Sequence, residues 1–413
     1  MAGLLKNRWF ILFGGFLLNL MLGIVYSWSV FAKPLTAEPY SWSTISSQLP
    51  FMIFLAVFAL MMIPAGKLQD KLGPRNVAIV GGVLMGAGYM LASLIGTYAN
   101  VAVLCCTYGL IAGAGCGLGY ACAIPVARKW FPDKSALAIG IVVGGFGLSA
   151  MVFSYLQKWM INNSSIGISN TFLYVGIVLA VLAVTAALIL RNPPAGWKPA
   201  GWEPKAAVAA AATEADKLSG KQIAKSVRFW MLWLMFVFMA LAGLMTIGSI
   251  AKYAEDIGIA AGTAAIITGV LSAFNAVGRP GSGWMSDKIS YIKTMMILFT
   301  VMAVVVLLFP FVAKGVAMSF VMVIFIGFCF GSCFALFPTA AGDNFGVKNM
   351  GRNYGMLFTA YGVGGIAGPL LLGAIKDSTG EYKWAFIVAA ILVFIAVGIA
   401  FALNKLIKKE HKK

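Results

Sequence analysis

Twelve stretches of mostly apolar residues, separated by polar breaks, run along the chain near positions 8–32, 43–66, 76–97, 100–127, 136–160, 170–191, 228–254, 259–285, 294–313, 316–342, 353–375 and 383–404. Crossing about 30 Å of hydrocarbon takes roughly 20 such residues as a helix, at about 1.5 Å each. The pattern therefore predicts an all-α polytopic membrane protein with twelve transmembrane helices. Composition agrees: with 61% hydrophobic and 11% charged residues, the chain cannot present a polar exterior to water in any fold. The first run follows Lys6 and Arg8 as a signal peptide would, but it is too long for an h-region and reads as an uncleaved first helix.

In a soluble protein a net charge of +18 would point to nucleic acid, so the placement of the charges decides. With both termini inside, the inner segments collect most of the 31 Lys and Arg residues, from Lys6, Lys67, Lys71 and Arg75 to Arg128, Lys129, Arg352 and the tail from Lys405 to Lys413. That is the positive-inside pattern. It predicts a multi-pass protein of the plasma or bacterial inner membrane with cytoplasmic termini, and no nucleic-acid partner. The basic tail can also touch anionic headgroups. The six cysteines all fall within apolar runs and read as small packing residues, with neither a disulfide framework nor a metal site suggested. The single histidine, His411, lies in the tail, and no phosphate-binding loop is present. The chain thus reads as no enzyme and needs no cofactor beyond a coupling proton.

Asp70 and Asp287 are 217 positions apart, and Pro125 with Pro338, Phe131 with Phe345 and Gly140 with Gly355 repeat at 213 to 215. Two duplicated six-helix halves follow, 1–191 and 228–413, joined by a Pro/Ala-rich cytoplasmic linker over 192–227. The linker tryptophans, Trp197 and Trp202, are expected at headgroup level, beside a short interfacial helix.

Within the eighth run stands Arg279, in Gly278-Arg279-Pro280. An arginine at bilayer depth costs at least about 2.5 kcal/mol, so it normally faces a cavity, a partner or a substrate path. It receives an anion or pairs with a carboxylate of a neighbouring helix. Its planar fork matches a carboxylate bidentately. Asn275, four residues earlier, shares its helical face.

Gly66, Leu68, Asp70, Lys71 and Gly73 match in place the loop signature G-x-L-x-D-[RK]-x-G-[RK]-[RK] of the major facilitator superfamily, which this chain resembles; Pro74 departs from it and Arg75 keeps it. The resemblance implies that Asp70, Arg75 and Asp287 are gate residues working by alternating access. Tyr26 to Leu35, Arg128 to Lys134, Gly278-Arg279-Pro280 with Ser286-Asp287-Lys288, and Arg352-Asn353-Tyr354-Gly355 resemble the oxalate/formate antiporter branch, which is related to the monocarboxylate (lactate) transporters. For the oxalate exchanger the resemblance implies an Arg in helix 8 and a Lys in helix 11. Arg279 fits the first, whereas alignment on Arg352 to Gly355 puts Tyr361 in place of the second. One cation argues for one carboxylate.

The expected function is therefore secondary transport of small monocarboxylates, such as L-lactate or a pyruvate-like acid, by proton-coupled symport in a monomer. Organic-anion exchange of the oxalate/formate type is the alternative. Asn275, Tyr120 and Tyr361 are candidates for the acid's second oxygen, though each Tyr hydroxyl could equally serve helix packing by bonding a backbone carbonyl. Phe334 and Phe358 are candidate apolar walls. For the proton, Asp256 is chosen among few acids, because helix 7 adjoins helix 8 and its carboxylate could offset the field of Arg279; solvation in the outer loop is the competing reading.

Overall fold

The structure, a computed structural model, describes residues 7–194, 196–203 and 215–410. Among these residues twelve helices are long and apolar enough to cross a membrane: α1 (Arg8–Leu35), α2 (Ile45–Leu72), α3 (Pro74–Tyr98), α4 (Val101–Trp130), α5 (Ser135–Asn162), α6 (Gly167–Ile189), α7 (Val227–Asp256), α8 (Ala261–Ile289), α9 (Tyr291–Val312), α10 (Val316–Phe345), α11 (Met350–Thr379) and α12 (Lys383–Lys409). All twelve expected runs are present as helices. Most are longer than the apolar pattern alone indicated, because polar end turns continue the helix.

The clearest case is the signature segment. Gly66 to Leu72 is the last part of α2 and not a loop, and the turn to α3 is Gly73 alone, at φ 85° and ψ 156°. Only glycine adopts that region readily. Pro74 then opens α3 at its first position, where a missing N–H costs nothing. This explains the departure of Pro74 from the signature. Ser290 makes the equivalent turn between α8 and α9 at φ 86° and ψ 152°.

The chain packs as two compact units. One contains α1 to α4, α5 from Ile141, α6, and the segment Val347–Met356 that starts α11. In it α3 packs against α6 and α4, and α2 against α4. The other contains Lys134–Gly140, α7 to α10, α11 from Leu357, and α12, with α8 on α10 and α9 on α12. These are the same pairings shifted by six helices, as duplication requires.

Two helices carry local irregularities. A 3-10 segment, Gly23–Ser27, interrupts α1, and a π-helical segment, Cys105–Ala112, interrupts α4. In the linker, Gly220–Lys225 forms a short helix with a Ser219/Gln222 capping box. Trp197 meets Trp130 edge-on at 4.7 Å, so this tryptophan packs on the end of α4. Lys6, the Ala206–Ala212 run, His411 and the last two lysines lie outside the described residues.

Candidate functional site

Arg279 is completely buried in the second unit. Its Nη2 donates to Oδ1 of Asn275 at 3.0 Å, and its guanidinium carbon lies 4.3 Å over the ring of Phe334. A guanidinium only donates, so the amide atom facing it must be the oxygen. The amide Nδ2 of Asn275 is left buried without a hydrogen-bond partner among the described residues. Leaving a buried donor unmet costs about 1–3 kcal/mol, so the arrangement is suited to an acceptor.

The backbones hold this pair closely. A side chain at Gly331 of α10 would run into the carbonyl of Asn275, and one at Gly278 of α8 into the carbonyl of Phe328. Glycine at both points lets α8 and α10 touch along the turn that carries Arg279. Around Phe334 stand Tyr361 at 5.4 Å, Phe330 at 5.5 Å and Phe236 at 6.4 Å, while Phe358 lies 5.0 Å from Tyr361. The structure thus brings Arg279, Asn275, Phe334, Tyr361 and Phe358 together. Tyr361 reaches the same ring that supports the guanidinium.

Tyr120 belongs to the first unit, where it packs edge-on against Phe58 at 5.3 Å and Phe146 at 5.2 Å. Asp256 ends α7 in the second unit. Its Oδ2 accepts from the Tyr382 hydroxyl at 3.0 Å and lies 3.7 Å from Nζ of Lys376, whose ammonium in turn sits 3.8 Å from the Tyr382 ring centre. Burial, and then the hydrogen bond to the Asp256 carboxylate and its negative charge, push the Tyr382 hydroxyl up to about 12. Arg279 lies on the order of 27 Å along α8 from its first residue, at 1.5 Å per residue. Asp256 is therefore engaged by α11 and the α11–α12 turn, and not by the guanidinium.

Of the three residues expected at a gate, the two aspartates cap helices. Asp70, half-buried, accepts the Arg352 N–H at 3.1 Å at the start of α11. Asp287 accepts the N–H groups of Ala136 and Leu137, at 3.0 and 2.9 Å, at the start of α5. Carboxylates at helix N-termini satisfy orphan donors and complement the helix dipole. The sequence repeat links the two contacts: α11, which Asp70 caps, begins about 215 residues after α5, which Asp287 caps. Arg75 is exposed in the first turn of α3.

Sequence reasoning did not single out Gly243, Lys376 or Tyr382. Lys376 and Tyr382 stand 120 or more positions from Asp256, beyond any spacing rule.

A chain of twelve membrane-crossing helices in two related units, with a buried arginine in the second, has the architecture of a secondary transporter. The profile of the Major Facilitator Superfamily matches residues 11–369 and again 239–413, and the chain belongs to that family. It is 33% identical over 401 residues to the oxalate:formate antiporter of Oxalobacter formigenes, covering 97% of this chain and 92% of that protein. It is 26% identical over 347 residues to monocarboxylate transporter 13 of Rattus norvegicus, covering 81% and 74%. Among solved structures it resembles the transporter FucP in the outward conformation, with a TM-score of 0.71 and 15% identity over 94% of this chain and 97% of that one. The protein is a multi-pass membrane transporter of the major facilitator type, and its relatives in this family are transporters and not enzymes.

Proposed function

We propose that the protein is a proton-coupled symporter of small monocarboxylates, L-lactate or a pyruvate-like acid, working by alternating access as a monomer in the cell membrane with both termini cytoplasmic. The observation that carries this reading is the buried Arg279–Asn275 pair with the amide Nδ2 still a free donor. A guanidinium and an amide donor one turn apart can address a carboxylate and the 2-oxygen beside it. The aromatic surround of Phe334, Phe358 and Tyr361 suits a short apolar tail. In this conformation Arg279 is covered, so the acid meets it in another state of the cycle.

Asp256 is assigned as the proton carrier. Its partners make that role mechanical: protonation removes the charge that holds Lys376, releasing the end of α11, the helix that also carries Tyr361 and Phe358. Asp70 and Asp287 act as gate caps, released when the cycle separates them from α11 and α5, and Arg75 is assigned to the gate.

Proteoliposome uptake of labelled L-lactate under an imposed pH gradient tests the proposal. Uptake that rises with the inward proton gradient is expected. Absence of uptake, or uptake indifferent to the gradient and dependent on internal oxalate or formate, overturns it. That second outcome is the exchanger reading, which the 33% identity to the oxalate:formate antiporter favours.

A further inference from the structure

Phe236, Ala240 and Gly243 are buried on one face of α7, spaced four and three apart. At Gly243 any Cβ would run into the ring of Phe330, so this ring lies flush on the α7 backbone. Phe330 stands edge-on to Phe334, at 5.5 Å and 74°, and Phe334 carries the guanidinium of Arg279 at 4.3 Å. Three contacts in series lead from a residue with no side chain to the one buried charge of the site.

On its α8 side, Gly331 of α10 touches the Asn275 carbonyl and Gly327 the Leu271 carbonyl so closely that neither position has room for a Cβ. A methyl group at position 243 would meet ring carbons of Phe330 and no backbone atom of α10. It must turn the Phe330 ring, which presses on Phe334. Phe334 is braced on its other sides by Tyr361 and Phe236, so the displacement passes to the guanidinium.

We infer that Gly243 is a positioning residue for the anion site: its missing side chain seats Phe330 against α7 and so sets the height at which Phe334 presents Arg279. The inference rests on the assignment of Arg279 to the substrate carboxylate.

The test is equilibrium binding of labelled L-lactate to the full-length protein in lipid nanodiscs, for the native chain, Gly243→Ala, Phe330→Leu, the double variant and Arg279→Ala. Gly243→Ala should raise the apparent Kd about 3- to 30-fold, the range for losing a buried cation–π contact. Phe330→Leu should also raise it. In the Phe330→Leu background the Gly243→Ala change should add nothing, because the ring it displaces is gone. A general packing defect would instead add to the Phe330→Leu effect. Unchanged binding by a folded Gly243→Ala, additive effects in the double variant, or unchanged binding by Phe330→Leu would each overturn the inference. If Gly243→Ala does not fold, comparing Phe330→Leu with the double variant still decides. Retained lactate binding by Arg279→Ala would overturn the carboxylate assignment itself, a separate outcome.

Discussion

Asn275 stands one helical turn before Arg279 and takes a guanidinium hydrogen on its Oδ1 at 3.0 Å, leaving its Nδ2 without a partner among the described residues. The amide thus keeps one donor for an acceptor. Replacing Arg279 by Lys keeps the charge and loses the planar fork; replacing it by Ala loses both. Both variants should insert normally, and uptake of labelled lactate should fall at least about 10-fold, the scale of a charge-assisted hydrogen bond.

Asn275→Asp tests the role of the amide. An ionised carboxylate at this position would occupy the guanidinium itself and offer no donor to the substrate. The apparent KM for lactate, measured against external pH, should rise about 10-fold or more near neutrality, as expected when an opposite charge competes within 4 Å. It should fall again as acid protonates the new carboxyl.

Tyr361 shares the Phe334 ring with Arg279. Tyr361→Lys adds a second cation beside the first, so competition of lactate uptake by oxalate should strengthen by about 10-fold or more, the worth of roughly 1.4 kcal/mol of added charge pairing. A competition curve in proteoliposomes reads this directly.

At the far end of α7, Tyr382→Phe removes the hydroxyl that donates to Asp256. Uptake of labelled lactate driven by a pH gradient should fall by about 10-fold, the scale of one hydrogen bond to a charged group. Asp256→Asn should abolish the response to a pH gradient.

Ser290 occupies a backbone region natural to glycine, at φ 86° and ψ 152°. Ser290→Gly should stabilise the protein by about 1–3 kcal/mol, and Gly73→Ser should destabilise it by a similar amount. Thermal unfolding in detergent, followed at fixed lipid content, measures both.

The helices were legible because a membrane demands one thing of every span, an apolar run of sufficient length, and all twelve runs became helices. Their ends were not, since Lys67 to Leu72 and Lys288 to Ile289 are polar or mixed and continue the helix through backbone bonding alone. Arg279 and Asn275 were legible from cost and from their four-residue spacing. Phe334 and Phe358 were candidates by helical position alone, a weak signal where one Phe stands among 29, and Tyr361 drew notice chiefly through resemblance. Nothing in the sequence shows that Asp70 and Asp287 cap helices by accepting backbone N–H groups, since a backbone donor has no letter. Gly243 was silent for the same reason: its role lies in the ring that rests on it.

Gly73 alone separates α2 from α3, and Ser290 alone separates α8 from α9. A single linking residue spans no more than two Cα steps, about 7.6 Å, so the adjoining helix ends cannot part without unwinding. Each pair is a welded hairpin, and one of its arms carries a capping aspartate on its last turns. Any displacement of α8 at Arg279 therefore carries Asp287, about two turns further on, and the start of α9 with it.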